Sequence, residues 1–557
     1  MIEEYLAGCN NLIDKKKYQE AITGLKFILM TNPSSSVTYS RLAYCYAGVN
    51  QWKEALTAMV NALGHGNNQY ADLEQLIDII EQSKLNSYLP IIMQLLLKTI
   101  EHNMLEFRTI PLLWQQVTLK HASLLIDAKP IFKEDTSSLL QDPTFCKLLE
   151  KGPVTNYFLE DLILSSREAI LVKVINHENI QQYLPFLSAL CCQVLSNDGL
   201  FTTNGQEDKY LEKLKANTPL TDEKLIVLFS YSSFDDAMSI WSKYQKTILN
   251  SPLKFTAKQL IADLDFYTQV VSNNNLGNVE QETSKVVQRF YMDNPYPKWK
   301  SVDISKTISI TAKNMLVAGC GTGQQLINYA IHNPKMQITA IDLSPISLNY
   351  AKLMAKKYQL TNINFKIFDI LNVAQLKQSF DYIVCTGVLH HMESPSAGLQ
   401  ALKQVLVPEG EMFLAFYSTA ARKELAEIYS DIKLFLNTDE AGITREGIKQ
   451  WRNQLAFSNK QNEIYKVADF FYLNGLYDLL LHPQQTEYSA LELKQLLTDC
   501  GVTFKKMYLP KLADARLKKH FASRSRKETE TETLEYWHEI ERKFPNAFLG
   551  MFQFSCF

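Results

Sequence analysis

The sequence predicts an α/β fold in the carboxyl-terminal half of the chain and an all-helical amino-terminal half. The first observation is an apolar segment, residues 315–318, that runs into a turn with glycines at 319, 321 and 323. After this turn, short apolar segments alternate with stretches of helical periodicity, which is typical of a parallel sheet covered by helices. The third observation is a 34-residue repeat near the amino terminus, which predicts packed helix pairs.

The glycine-rich turn is the feature around which the functional predictions are arranged. Three closely spaced glycines between a strand and a helix let the backbone adopt positive φ, and they let a ligand approach without a Cβ in the way. Taken alone, the pattern also fits a tight structural turn. The helix that follows is predicted over residues 324–332.

Further predicted strands end at polar residues that suit a ligand site. The second strand, residues 337–341, ends at Asp342, which lies 19 positions after Gly323. A βαβ unit places an acid for ribose hydroxyls at about this distance. Ser344 and Pro345 then start a helix as N-cap and first helical residue. Three more strands are predicted: residues 363–368 before Asp369, residues 382–385 before Thr386, and residues 412–416 after a turn at 408–410.

Length and composition restrict the class of protein. The chain has 557 residues, is 46% hydrophobic and carries a formal net charge of −2, so several cores are expected and nothing points to nucleic acid. Nine cysteines occur without a metal-ligand spacing such as Cys-x-x-Cys, which favours reduced thiols and no metal. The amino terminus lacks signal-peptide features, and apolar runs such as residues 183–194 are too short for membrane insertion. We expect a cytoplasmic protein, and its many Asn, Lys and Ile residues suggest a bacterial source.

The amino-terminal half is predicted to consist of two helical domains. Within residues 2–68, Ala21 and Ala55 lie 34 positions apart, as do Leu25 and Met59. This period resembles tetratricopeptide helix pairs, so we assign residues 1–121 to a tetratricopeptide-like repeat domain. A peptide-binding groove and a docking or dimerisation spacer remain alternative roles for it. Residues 122–279 are predicted to form a helical middle domain that packs or positions substrate.

The order of motifs from residue 318 onward resembles the class I S-adenosylmethionine-dependent methyltransferases. This resemblance implies a Rossmann-like fold with a seven-stranded sheet over residues 280–557, in which the last two strands pair antiparallel at the edge. It leaves insertions at about 418–488 and 511–541, and it implies S-adenosyl-L-methionine as cofactor. The matching segments are residues 318–323, Asp342, residues 368–370, residues 380–382, residues 389–391 and residues 408–410.

The resemblance also implies which residues bind the cofactor. The glycine turn would hold the methionine portion, Asp342 the ribose and Asp369 the adenine amine. Val317 stands where the family usually has an acid, so the methionine ammonium is expected to bind backbone carbonyls instead. The predicted cofactor-binding residues are Ala318, Gly319, Cys320, Gly321, Thr322, Gly323, Gln324, Asp342, Leu343, Asp369, Ile370 and Thr386.

Within the superfamily, the chain most resembles a bacterial family that includes tetratricopeptide-linked methyltransferases and rickettsial protein-lysine methyltransferases of an outer-membrane surface protein. The resemblance covers roughly residues 180–557. It implies a protein-lysine N-methyltransferase with a protein substrate, and a possible homodimer. The matching segments are residues 294–299, 317–324, 415–418, 478–482 and 544–554.

Four residues are predicted to act at the methyl acceptor: Tyr296, Trp299, His390 and Tyr417. Prolines on both sides of Tyr296 hold an extended, stiff segment before the first strand. This segment either covers the cofactor mouth or packs between domains. Two other functions remain open: a small-molecule O-, N- or C-methyltransferase, and a non-catalytic protein-interaction module.

Overall fold

A computed structural model of the chain describes residues 2–65, 139–216, 220–272, 281–302, 309–437, 443–458, 467–509, 533–548 and 550–557. The chain forms two compact units. The first comprises Met1–Ser196, Thr203–Ile261 and Trp299–Thr307, and the second comprises Asn197–Thr202, Ala262–Lys298 and Ile308–Phe557. The three-domain division expected from the sequence stays a prediction.

The amino-terminal repeat folds as two helix pairs with the expected spacing. The second pair begins 34 residues after the first, because α3 and α4 start at residues 36 and 52 and α1 and α2 start at residues 2 and 18. The repeated alanines, Ala21 and Ala55, are fully buried, since small side chains let packed helices approach closely. The assignment of these pairs to tetratricopeptide repeats stays a prediction. Residues 66–121 of the predicted domain lie outside the described residues. The helices are α1 (Ile2–Asp14), α2 (Tyr18–Thr31), α3 (Ser36–Gly48) and α4 (Trp52–His65).

Residues 139–272 are helical wherever they are described as regular structure. The apolar helix expected near residues 183–195 is α7, and every residue from Phe186 to Ser196 is buried. A buried ion pair between Arg167 and Glu207 joins two of these helices, with Tyr231 donating to the same carboxylate at 2.7 Å. The helices are α5 (Pro143–Lys151), α6 (Tyr157–Ile175), α7 (Leu184–Ser196), α8 (Gly205–Ala216), α9 (Asp222–Ser230), α10 (Phe234–Leu249), α11 (Leu253–Thr256) and α12 (Lys258–Val271).

The second unit contains a seven-stranded sheet with the order β3-β2-β1-β4-β5-β7-β6. The first five strands pair in parallel, and β7 pairs antiparallel with β5 and β6, which confirms the predicted fold. The strands are β1 (Asn314–Ala318), β2 (Gln337–Asp342), β3 (Ile363–Ile367), β4 (Phe380–Thr386), β5 (Leu406–Tyr417), β6 (Phe504–Tyr508) and β7 (Met551–Cys556).

Helices cover both faces of this sheet, which explains why its central strands are apolar throughout. In β1, Met315 and Val317 enter one buried cluster, whereas Leu316 and Ala318 enter another on the opposite face. The helices of the unit are α13 (Glu282–Asp293), α14 (Gln324–His332), α15 (Pro345–Lys357), α16 (Pro395–Gln404), α17 (Thr419–Leu436), α18 (Arg445–Ser458), α19 (Leu473–Leu480), α20 (Ala490–Asp499) and α21 (Leu534–Lys543).

The fifth strand differs from its predicted form, because it begins six residues before Met412, at Leu406. Phe380 of β4 pairs with Leu406, but Tyr382 pairs with Glu411, so residues 407–410 bulge out of the ladder. The proline at position 408 has no N–H to donate, which favours such a bulge. The expected turn at 408–410 is therefore an irregularity within one strand.

Candidate functional site

All three glycines of the turn after β1 have positive φ, at +69° for Gly319, +52° for Gly321 and +88° for Gly323. A Cβ on Gly319 would lie 2.3 Å from the Val388 side chain, and one on Gly321 would lie 2.9 Å from the carbonyl oxygen of Tyr296. The turn therefore requires glycine both for its backbone conformation and for its close packing against neighbouring protein segments. The second reason was not foreseen from the sequence, which pointed to ligand approach.

The backbone N–H groups of the turn are largely used inside the protein. Those of Gly319 and Cys320 donate to the carbonyl of Ile341 at 2.8 and 3.0 Å, and that of Gly323 donates to Cys320 at 3.0 Å. The N–H of Gly321 donates to the carboxylate at the end of β2 at 2.8 Å. A turn with its N–H groups already engaged is a poor cradle for phosphate. It suits a cationic ammonium group, which needs acceptor oxygens.

Asp342 lies at the end of β2, directly beside this turn. Its Oδ2 accepts from the N–H of Gly321, and its Oδ1 accepts from the N–H of Ser344 at 2.8 Å. Burial raises the pKa of the carboxyl, and these backbone N–H groups oppose the rise. A carboxylate has about four acceptor positions, so Asp342 keeps capacity for a ligand hydroxyl. The residues present therefore fit the ribose of S-adenosylmethionine.

Several of the remaining predicted cofactor residues lie next to the glycine turn or Asp342. Ala318 ends β1, Gln324 begins α14, and the carbonyl of Leu343 accepts a hydrogen bond from Gln288 at 2.7 Å. Asp369 caps the 3-10 helix that begins at Ile370, accepting from the N–H of Leu371 at 2.9 Å.

Two hydroxyl groups in the predicted set have protein partners. The hydroxyl of Thr386 donates to Gln325 at 2.7 Å. Thr322 is fully buried, and its hydroxyl donates to the carbonyl of Pro297. Thr322 therefore attaches the turn to the proline-rich segment through its side chain.

The proline-rich segment, residues 294–298, lies over the glycine turn. The carbonyl oxygen of Tyr296 faces Gly321, and Arg445 of α18 holds the segment by donating to the Asn294 side chain at 2.5 Å and to the carbonyl of Asp293 at 2.9 Å. The sequence left two roles open for this segment, covering the cofactor mouth or packing between domains. Its position over the turn favours the first role.

Two tyrosine–aspartate pairs lie on the segments that flank the turn. The hydroxyl of Tyr296 donates to Asp469 Oδ1 at 2.9 Å, and that of Tyr291 donates to Asp478 Oδ1 at 2.8 Å. Burial and the charge of Asp478 raise the pKa of Tyr291 well above its usual range. Sequence reasoning missed Asp469 and Asp478. The available signal was that Asp469 directly precedes the aromatic run at residues 470–482 and Asp478 lies within it, both inside the predicted insertion.

His390 and Tyr417 belong to a buried stack of rings. The guanidinium of Arg422 lies 3.7 Å from the Tyr417 ring centroid, and the ring of His390 stacks on Tyr417 at 3.8 Å. His390 is fully buried and Tyr417 is nearly so. Burial and the charge of Arg422 lower the pKa of His390 well below its usual value. The imidazole is therefore neutral and a weak base. The Tyr417 ring, already stacked with Arg422 and His390, is poorly placed to receive a substrate cation.

Trp299 belongs to the first compact unit, whereas the other predicted acceptor residues belong to the second. Its side chain is 1% exposed and is therefore part of a packed core, which does not suit contact with a methyl acceptor. The nearby Tyr296, which belongs to the second unit, retains a half-buried position beside the turn.

Comparison with known proteins identifies the fold of this region. A family model described as a methyltransferase domain matches residues 311–471, which include β1 to β5. An uncharacterized protein of Synechococcus is 31% identical over 218 residues, 38% of this chain and 52% of that protein. The ubiquinone biosynthesis O-methyltransferase of Coxiella burnetii is 31% identical over 127 residues, 23% of this chain and 52% of that enzyme. The chain thus spans about half the length of these curated relatives.

Solved structures with related folds include methyltransferases bound to the demethylated cofactor. PKMT2 from Rickettsia typhi in complex with AdoHcy is 18% identical with a TM-score of 0.32, covering 44% of this chain and 48% of that one. The N-methyltransferase NodS from Bradyrhizobium japonicum, in complex with S-adenosyl-L-homocysteine, is 19% identical with a TM-score of 0.19, covering 29% and 78%. The family match confirms the predicted methyltransferase domain and, with it, S-adenosyl-L-methionine as the methyl donor. Among the described residues, no helix is long and apolar enough to cross a membrane.

Proposed function

From the methyltransferase domain that residues 311–471 form, we propose that this protein is an S-adenosylmethionine-dependent N-methyltransferase that acts on lysine side chains of a protein. The observation that carries the proposal is the Tyr296–Asp469 hydrogen bond, which lies on the segment covering the glycine turn. An aromatic ring beside a carboxylate suits an amine, because it offers a cation–π surface and an anionic acceptor together.

When bound, S-adenosylmethionine supplies an electrophilic methyl group on a sulfonium. The chain's part is to orient the two reactants and to exclude water. Asp342 would hold the ribose hydroxyls, and the carbonyl oxygens of the turn would accept from the methionine ammonium.

The acceptor amine must be neutral before it attacks. A lysine ammonium has an ordinary pKa of about 10.4, and its proton leaves to solvent before the attack. Asp469 orients the amine by accepting a hydrogen bond from it. The nitrogen lone pair then forms the N–C bond as the C–S bond breaks, and the sulfur keeps that electron pair. The methylated ammonium releases its extra proton to water.

Two features support a protein substrate over a small molecule. The helix pairs at the amino terminus are of a shape that binds polypeptide in other proteins, and α17 to α19 form an addition between β5 and β6 on the catalytic unit. The alternative, a small-molecule O-, N- or C-methyltransferase, is favoured by the similarity to a ubiquinone O-methyltransferase. A non-catalytic interaction module is disfavoured by the retained turn and Asp342.

The deciding experiment is incubation of the protein with methyl-labelled S-adenosylmethionine and a bacterial extract. We expect label in the protein fraction, on lysine when the products are analysed by mass spectrometry. Label confined to small metabolites would replace this proposal with the small-molecule alternative. Heat-inactivated protein and the Gly321→Val variant serve as controls for transfer by other enzymes in the extract.

A further inference from the structure

Residues 197–199 form a buried turn in the second unit that has no role in the proposed chemistry. Asp198 has φ of +62°, and the side chain of Asn197 accepts from the N–H groups of Gly199 at 3.1 Å and Leu200 at 3.2 Å. A non-glycine residue in the left-handed region is unfavourable unless its surroundings fix it. The contacts of Asp198 therefore need an explanation.

The first contact leads to the segment that covers the glycine turn. Asp198 Oδ1 forms an ion pair with Lys298 Nζ, and both side chains are at most 5% exposed. The same ammonium lies 4.8 Å from the centroid of the Tyr267 ring. Lys298 follows Tyr296 by two positions, so this ion pair fixes one end of the segment that carries the Tyr296 hydroxyl.

The second contact of Asp198 is with α19, which begins four residues after Asp469 and contains Asp478. Asp198 Oδ2 accepts from the N–H of Asn474 at 3.3 Å, and the carbonyl of Asn197 accepts from the N–H of Leu473 at 3.1 Å. Both donors lie in the first turn of α19. The Asn474 side chain in turn donates to the carbonyl of Pro295 at 3.4 Å, closing a ring of contacts.

We propose that Asp198 is a positioning residue. It fixes residues 294–298, which carry Tyr296, relative to residues 469–474, which carry Asp469 and the start of α19. The inference rests on the proposed function, since it assigns Asp198 to the geometry of that acceptor site. One carboxylate uses its two oxygens on two different segments, so neither segment can shift without breaking a buried contact. Loss of the carboxylate leaves the Lys298 ammonium buried without its partner, which is costly.

Arg445 provides a second link that should keep the variant folded. It holds Asn294 and Asp293 and lies 3.5 Å from the Asn474 side chain, but it contacts neither Lys298 nor the turn at 197–199 in the described contacts. Removal of the Asp198 charge is therefore expected to loosen the two segments without unfolding the domain.

The test is hydrogen exchange of the full-length Asp198→Asn variant, followed by mass spectrometry of its peptides. We expect faster exchange in peptides covering residues 290–300 and also in those covering residues 470–480, by about tenfold or more if local opening becomes easier by about 1.4 kcal/mol. Asp381→Asn is the control, because the Asp381 carboxylate likewise accepts from backbone N–H groups, in this case two at 2.8 and 3.0 Å, but these lie at the start of β1 and outside both segments. Faster exchange in one segment alone, or in neither, would overturn the proposal.

A double variant separates positioning from general destabilisation. In Asp198→Asn alone, the buried Lys298 ammonium competes with the Asn474 N–H for the single side-chain oxygen at position 198. Asp198→Asn with Lys298→Met removes both buried charges, so this oxygen accepts from the Asn474 N–H alone. We expect peptides over 470–480 to regain protection while those over 290–300 stay open. Recovery of both segments, or of neither, would contradict the assignment of the two oxygens.

Methyl transfer provides the functional readout. With methyl-labelled S-adenosylmethionine and poly-L-lysine as probe, we expect Asp198→Asn to lower kcat about tenfold with unchanged cofactor affinity. An unchanged kcat would overturn the positioning role. If the wild-type protein methylates no lysine in the probe or in an extract, the proposed function fails, while the exchange experiment still decides whether Asp198 couples the two segments.

Discussion

The hydroxyl of Tyr296 donates a hydrogen bond to Asp469 Oδ1 at 2.9 Å, although 173 positions separate the two residues. Tyr296 precedes the first strand of the sheet, and Asp469 follows the two long helices inserted after β5. Their contact brings the beginning of the catalytic domain and its insertion together at the glycine turn. The acceptor site is therefore built from segments that the strand order alone does not join.

Tyr296→Phe tests this contact. We expect turnover on the acceptor to fall by about tenfold to a hundredfold, since the ring remains while a hydrogen bond to a charged group, worth about 1.5–3 kcal/mol, is lost. Calorimetry should show unchanged cofactor affinity. Tyr508→Phe on the edge strand β6 is the control, because Tyr508 is exposed. Wild-type turnover in Tyr296→Phe would leave only a packing role for the ring.

Gly319→Ala and Gly387→Ala form a matched pair. Both glycines have positive φ, at +69° and +72°, but a Cβ at Gly387 meets nothing within 4 Å, whereas one at Gly319 meets Val388. Each variant pays about 1–2 kcal/mol for the left-handed backbone, and Gly319→Ala adds about 1–3 kcal/mol of overpacking. Urea unfolding should show the larger loss for Gly319→Ala. Equal losses would mean that Val388 moves aside freely.

Asp342→Ala should weaken binding of S-adenosylmethionine by about 1–3 kcal/mol, because ribose hydroxyls and two backbone N–H groups lose their charged acceptor. Titration calorimetry on the folded variant measures this loss. Asp381→Asn should bind the cofactor like the wild type, since Asp381 of β4 accepts from backbone N–H groups at the start of β1, whereas the glycine turn follows the end of β1. Unchanged affinity in Asp342→Ala would remove this residue from the site.

Stability of the catalytic unit should fall as the pH drops from about 6.5 to about 4. Burial lowers the pKa of His482 to about 4, and it lowers the pKa values of His390 and His391 well below their usual range. The unfolded chain therefore binds protons at a pH where the folded chain does not, and protons favour unfolding in that window. His482 alone contributes up to about 3 kcal/mol at neutral pH that is lost on acidification.

Unfolding by urea at a series of pH values measures this effect. His482→Asn should flatten the pH dependence, because it removes one titrating group and keeps a side-chain donor. The exposed His177→Asn should leave the pH dependence as it is in the wild type. An equal slope in all three proteins between pH 4 and 6.5 would show that the histidine cluster does not control acid stability.

Deletion of Met551 to Phe557 should destabilise the cofactor domain. β7 lies between β5 and β6 in the sheet, so its loss exposes the edges of those two strands and removes the buried side chains of Phe552 and Phe554 from the core. Removal of residues 1–65 should leave cofactor binding intact. If the variant that lacks residues 551–557 were folded and active, this would contradict the observed place of β7 in the sheet.

The local geometry of the glycine turn and Asp342 was predictable from sequence because these residues are close along the chain. They belong to one βαβ unit, in which a strand, a turn and a helix fix their relative positions. The structure also has a capping box at Ser489 and Glu492, which is a similarly local feature. The predicted cofactor roles of the turn and Asp342, and those of Asp369, Ile370 and Thr386, stay predictions, as do a cytoplasmic location and a homodimer.

The sequence by itself determined the first five strands of the sheet and the glycine turn after the first of them, since periodicity and glycine spacing act over a few residues. Only the tertiary structure decided the surroundings of the residues predicted to act at the acceptor. Burial placed His390 and Tyr417 in a stack and Trp299 in a core, while Asp469 and Asp478 were brought beside Tyr296 and Tyr291 by an inserted helix. Such contacts depend on packing between segments far apart in the chain, and no local pattern records them.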